Sequence, residues 1–220
     1  NVPDQNMDRF RKCALLISKE AFNLDFQLRN IFAAAEIEAG EVAVRPAMVN
    51  INELVQNQIR YFQFKSEQHH VMVNYEPMAQ EYFKTDGALV NVIVMNLLSN
   101  AIEFSMPGGS VELECEIEEG KLVLHVIDHG KGINPADVDQ IFQRFVQLES
   151  GTTKTHQGHG LGLSIVKEFT DLLNGEIDIQ SEVGVQTHVI VTLPEFVPEE
   201  VPSGFSPGGE ELLFDDGESL

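Results

Sequence analysis

Apolar residues near the start of the chain fall at Phe10, Ala14, Ile17, Ala21, Leu24, Leu28, Ile31 and Ala35, in alternating steps of four and three. That rhythm predicts a long helix over 8–39 with a heptad seam. Asp4 to Asn6 offer N-caps and Gly40 closes the helix. A lone helix cannot bury such a stripe, so the seam calls for a second helix, from a partner subunit or from sequence upstream. Its alanines permit close approach. Folding back onto the chain's own domain is the less favoured alternative.

Downstream the periods change. Residues 42–49 read as an extended linker with Pro46 barring a helix. Asn50 caps a helix over 51–68, with Glu53 placed for a capping box and Ile51, Leu54, Val55, Ile59 and Phe62 on the apolar face. His69 and His70 end it, where a favourable dipole contact is a better reading than a metal site. A strand at 71–75 precedes a long buried helix, Gly87–Phe104, and a turn at 106–109. Val111, Leu113, Cys115 and Ile117 alternate with Glu112, Glu114, Glu116 and Glu118, giving a strand with one wet face. A buried strand over 122–127 stops at Asp128. Asn134-Pro135 opens a short helix, and a helix over 161–173 is stopped by Asn174-Gly175. Strands at 176–180 and 186–193 complete an α/β sandwich, one mixed sheet with helices on one face.

Apolar residues make up 43% of the chain and charged residues 22%, which fits a globular body. The formal charge of −21 argues against nucleic acid. It also means that a nucleotide would enter a repulsive field unless a divalent metal came with it. No apolar run approaches the ~20 residues of a membrane span, which suggests a soluble, cytoplasmic chain or the cytoplasmic piece of a longer membrane protein. Cys13 and Cys115 lack CxxC spacing and read as two buried thiols in a reducing compartment. Beyond Pro194 lie eight acidic residues and no Lys or Arg, the composition of a flexible tail or linker.

Chemistry gathers in four stretches. Asn96 and Asn100 are spaced i, i+4 on an otherwise apolar helix, so both amides share a face and need buried partners or a ligand. Their carbonyl oxygens suit Mg²⁺ where phosphates and water complete its shell. Asp128 ends a buried strand and is followed by Gly130 and Gly132, which leave an uncrowded floor for a planar ring. GHGLGLSIVK, residues 158–167, is a glycine-rich turn entering a helix, an arrangement that holds anions.

In this order NLLSNAIEFS, DHGKGI, IFQRFVQ and GHGLGLSIVK resemble the N, G1, F and G2 boxes of the ATP-binding catalytic domain of sensor histidine kinases. These kinases belong to the GHKL group with gyrase, Hsp90 and MutL. The likeness covers roughly 50–194, and the preceding AAAEIEAGEVAV resembles the second helix of the family's dimerisation and phosphoacceptor hairpin. It implies three parts: an incomplete hairpin over 1–41, a catalytic domain over 42–194 and an acidic tail over 195–220. The implied fold is α+β, a two-layer α/β sandwich of Bergerat type, binding ATP and Mg²⁺ beneath a lid at 149–157. Carried over by position, Asn96 and Asn100 would face the phosphates, with Asn100 holding the metal and Asn96 the catalytic position. Asp128 would accept the adenine amino group, with Phe104, Gly130, Gly132 and Ile133 against the base. Phe142 and Phe145 would dock the lid. Gly158, His159, Gly160, Leu161, Gly162 and Leu163 would wrap the triphosphate. Hydrolysing relatives carry a Glu where this chain has Asn96, so transfer to an amino-acid side chain is implied over hydrolysis.

Two departures bear on function. The acceptor His of the first hairpin helix is absent, so the histidine would come from a helix outside this chain, in the same or a partner subunit. A response regulator and a full-length homodimer are the remaining implied partners. The second departure is Glu103, where many members place a Lys or Arg that reaches the phosphates. A like charge there costs about 1 kcal/mol or more when partly buried. Arg144, Lys154 and Lys131 are candidate replacements. Two alternatives remain: a degenerate scaffold acting through its helix, and a GHKL ATPase or serine-directed kinase.

Overall fold

The computed structural model describes residues 2–146 and 160–197. Helix α1 spans Val2–Ala39, so the caps expected at Asp4 to Asn6 fall inside its first turns. Gly40 adopts φ +67° and donates to the Ile37 carbonyl, ending the helix as expected. The chain then forms β1 (Ala47–Asn50), α2 (Ile51–His69), β2 (Met72–Tyr75), β3 (Tyr82–Thr85) and α3 (Gly87–Phe104). It continues through β4 (Ser110–Glu118), β5 (Lys121–Asp128), α4 (Gly162–Leu172), β6 (Glu176–Glu182) and β7 (Gln186–Pro194). The helix expected after Asn134 is a single 3-10 turn, Pro135–Asp137, capped by the Asn134 side chain at 3.0 Å.

The main sheet is mixed, with order β2-β4-β5-β7-β6 and only the β2–β4 pair parallel. Its period-two alternation decides its faces. Val111, Leu113, Leu122, Leu124, Val126, Val189, Val191 and Leu193 are buried, whereas Glu114, Glu116 and Glu118 stand in solvent. The helices α2, α3 and α4 share the buried face, and this is the α+β two-layer sandwich that the pattern implies. Asp128 continues the inward parity of Leu122, Leu124 and Val126. It therefore comes out beneath α3, paired with Thr187 of β7.

Helix α3 passes for a membrane span by length and hydropathy, at a mean of 1.5. It is the core of the sandwich instead, with Val90, Leu98 and Ile102 wholly buried against α2, α4 and β5. Asp86 caps it, accepting from the amides of Ala88 and Leu89. Asn50 caps α2 by accepting from the Glu53 amide at 2.9 Å, and His70 closes it in the left-handed conformation.

Two expectations change. The supposed linker 42–49 contributes β1, which pairs antiparallel with β3 in a separate two-stranded sheet. Helix α1 does fold back onto this chain, by a face other than the seam. Phe22, Phe26, Asn30, Ala33 and Ile37 pack inward, with Phe22 and Phe26 edge-on to Phe62 at 5.5 and 5.9 Å. The Tyr61 hydroxyl donates to Asp25 at 2.7 Å, which Arg29 also holds. The heptad seam stays outside, with Phe10 and Ile17 at least 70% exposed. Neither thiol is fully buried: Cys13 is exposed on α1, and Cys115 is half-buried with its thiol pushed up to about 12 by burial. Most of the tail, residues 198–220, lies outside the described residues.

Phe62 joins α1 to the core through its two edge-on contacts with Phe22 and Phe26, and is itself fully buried. Phe62→Ala is expected to lower unfolding free energy by about 3–5 kcal/mol in urea melts.

Candidate functional site: a cavity between α1, α3 and the strand ends

A cavity of about 500 Å³ opens between α1, the polar side of α3, the end of β5 and the start of α4. That volume suits a small organic ligand. Its walls include Asn96, Asn100, Phe104, Asp128, Gly132, Ile133, Gly160, Leu161, Gly162 and Leu163, so residues from three separated stretches of sequence meet here. Gly130, Phe142 and Phe145 stand outside its lining. Phe145 is 74% exposed, and its amide donates to the Gly160 carbonyl at 2.8 Å. Lys154, Gly158 and His159, and the expected lid at 149–157, lie outside the described residues.

Asn96 is almost fully buried. Its amide nitrogen donates to Asn30 Oδ1 of α1 at 2.9 Å and to the Val92 carbonyl at 3.0 Å, while its Oδ1 has no partner among the described residues. Asn100, one turn on, is half-buried. Gly162 brings the backbone close at the junction: a Cβ there would come within 2.9 Å of Asn96 Oδ1, and the Asn96 amide would have to move. The start of α4 thus closes directly over the two amides. No side chain caps α4, and Leu161, Gly162 and Leu163 line the cavity. An uncapped helix start beside a cavity presents N–H groups to an anion.

Asp128 closes the opposite end, 6% exposed, with Oδ1 unpartnered among the described residues. Burial pushes its pKa up to about 7, against the opposing pull of His129 and of a hydrogen bond from Thr187. A buried acceptor with a spare lone pair calls for a donor. Gly130 and Gly132 allow the turn beyond it: a Cβ on Gly130 would strike the Phe104 carbonyl, and one on Gly132 the Glu182 carbonyl. Gly130 therefore serves the packing of that turn against the end of α3. Phe104 lies in the lining with Lys131 above its ring, Nζ 4.4 Å from the centroid.

Three contributors escaped the sequence reading. Asn30 and Thr187 are polar residues brought in by α1 and β7. The third is Lys65 of α2, whose ammonium lies 2.9 Å from Glu103. Nothing in their local sequence marks them, since each acts across a long stretch of chain.

A family model described as histidine kinase-, DNA gyrase B-, and HSP90-like ATPase matches residues 85–196, which carry α3, Asp128 and α4 together. The chain belongs to this family. Among its relatives, the autoinducer 2 sensor kinase/phosphatase LuxQ of Vibrio harveyi is 41% identical over 144 residues, 60% of the chain and 16% of that protein. LuxQ of Vibrio cholerae is 31% identical over 217 residues, covering 94% of the chain. The chain spans only 25% of that second relative's length. The solved catalytic domain of the histidine kinase ThkA is 26% identical with a TM-score of 0.59, covering 70% of this chain and 97% of that one.

The raised pKa of Asp128 links stability to pH. The folded state holds its proton up to about pH 7 while the unfolded chain releases it near 3.8, so stability falls as pH rises between those values. Asp128→Asn, neutral throughout, is expected to exceed wild-type stability at pH 8.5. The gain is on the order of 4 kcal/mol, at ~1.4 kcal/mol per pKa unit between 3.8 and about 7. At pH 5 the advantage should shrink, and equal urea midpoint differences at both values would contradict it.

Proposed function

We propose that this chain is the ATP-binding catalytic portion of a two-component sensor histidine kinase, transferring the γ-phosphoryl of ATP to a histidine on a helix outside this chain. The observation that carries the reading is the pair of orphaned buried oxygens, Asn96 Oδ1 and Asp128 Oδ1, at the two ends of one cavity. Family membership and the kinase names of the relatives support it.

Asp128 accepts the exocyclic amine of adenine, with Phe104, Gly132 and Ile133 beside the ring. The amides opening α4 receive the phosphates. Among the described residues no three His, Cys, Asp or Glu gather to cage a metal. A divalent ion would accompany the phosphates, held by the side-chain oxygen of Asn100, a half-buried residue of the cavity lining. When bound, Mg²⁺ would supply charge neutralisation for the phosphates. Asn96 has no basic group, and Asn30 fixes its amide, so nothing at this position activates water. Transfer in line to an imidazole nitrogen, with ADP leaving, needs only positioning and neutralised charge.

The exposed heptad seam of α1 suits the pairing of two full-length subunits, and the phosphoryl group passes onward to a response regulator in the cytoplasm. Residues 1–41 act as hairpin, 42–194 as catalytic domain and 195–220 as tail. A scaffold without catalysis accounts for the missing acceptor histidine, but it needs neither orphaned oxygen.

Calorimetry with a non-hydrolysable ATP analogue and Mg²⁺ is expected to give saturable binding, lost by at least about 100-fold in Asp128→Asn, a desolvated polar pair being worth several kcal/mol. Ionised Asp128 is the stronger acceptor for the amine, so affinity should fall, by up to about tenfold, from pH 8 to pH 6 as the carboxylate takes up its proton. No heat and no thermal shift at millimolar nucleotide would remove the reading. Radiolabelled ATP should mark histidine only when the acceptor hairpin is added.

A further inference from the structure

Glu103 lies one turn beyond Asn100 on α3 and lines the same cavity. An acid on this wall repels the phosphates that the proposed function places there. The structure supplies a specific answer from another element. Lys65, near the end of α2, lines the cavity too, its side chain 16% exposed and that of Glu103 22%. Its ammonium has three N–H donors. They meet Glu103 Oε2 at 2.9 Å, Ser99 Oγ at 3.0 Å and the Ser99 carbonyl at 3.1 Å. His69 adds an Nε2 contact to the same Glu103 oxygen at 3.8 Å. Burial pulls the Lys65 pKa down, and the charge of Glu103 opposes that pull.

We propose that Lys65 is a positioning residue for the nucleotide phosphates, acting through Glu103: the ion pair turns a repulsive carboxylate into a neutral wall and fixes it against Ser99, beside Asn100. This rests on the nucleotide reading above. Two of the cations suggested by sequence, Arg144 and Lys131, make contacts elsewhere, and Lys154 lies outside the described residues. Arg144 reaches Glu168 at 3.5 Å and Glu38 at 3.9 Å, outside the cavity lining. Lys131 stands over the Phe104 ring, at the base end. Lys65 is held by three acceptors that all belong to the α3 segment carrying the amides. Its partly desolvated setting makes this pair stronger than a surface one, and removing one member leaves the other charge uncompensated.

The test uses the 220-residue chain, calorimetry, and two ligands: the Mg²⁺ complex of a non-hydrolysable ATP analogue, and adenosine. Lys65→Met is expected to weaken the triphosphate by about tenfold or more while adenosine binds as in wild type, which also reports a folded pocket. Adding Glu103→Gln to Lys65→Met should restore triphosphate affinity to within about twofold. Glu103→Gln alone, which keeps Lys65 charged, should bind the triphosphate several-fold more tightly than wild type, and it answers the question even if Lys65→Met fails to fold. Unchanged triphosphate affinity in either single variant overturns the proposal. So does a loss in Lys65→Met that persists in the double variant, since Lys65 would then not act through Glu103. A wild-type chain that binds neither ligand defeats the nucleotide reading itself.

Discussion

The buried amide stripe of α3 is the constraint on which the rest of the molecule depends. This helix is apolar enough to sit between the sheet and two other helices, and it does so with most of its surface dry. An amide on such a helix must be satisfied or must face a space where a ligand satisfies it. Asn96 is half-satisfied, by Asn30 and by its own helix, and its oxygen is left toward the start of α4. Gly162 allows α4 to begin there. One helix thereby fixes the place of the cavity, the identity of its polar wall and the approach of the second helix.

Asp128 works by the same physics from the other side. Strand parity carries it inward after three buried aliphatic residues, where little of it is left to solvent. The result is a carboxyl group poised near neutrality, held by Thr187 from the neighbouring strand. A buried acceptor of this kind weakens the empty fold, and that tension between stability and binding is common where a site is preformed. Local charge tells a similar story. The chain carries a net charge of −21, yet the cavity gathers Lys19, Lys65 and Lys131 on its walls. The field that a nucleotide meets is set by these placements and by the opening amides of α4, and net charge is a poor guide to it.

Much of this was legible in the chain. The bounds of Gly87–Phe104 follow from Asp86, from the apolar run and from Ser105 with the turn after it; the structure has the same bounds. The alternating Glu row gave β4 its wet face. Asn96, Asn100, Phe104, Asp128, Gly132, Ile133 and the 160–163 turn line one cavity. Gly130, Phe142 and Phe145 take places around the cavity's frame instead of in its lining. The β1–β3 pair was missed because four-residue strands separated by a whole helix leave no periodic trace. The inward face of α1 was missed because the stronger seam on its other side dominated the period.

Local chemistry alone marked the residues that stand out in the chain: amides at helical spacing, a carboxylate at a strand end, glycines where backbone must come close. Each is a short-range statement, written in consecutive residues by steric and hydrogen-bonding rules. Tertiary structure alone decided what stands opposite them. Lys65 reaches Glu103 and Asn30 reaches Asn96 across 38 and 66 positions of chain, contacts fixed by how helices pack and not by any neighbour in sequence.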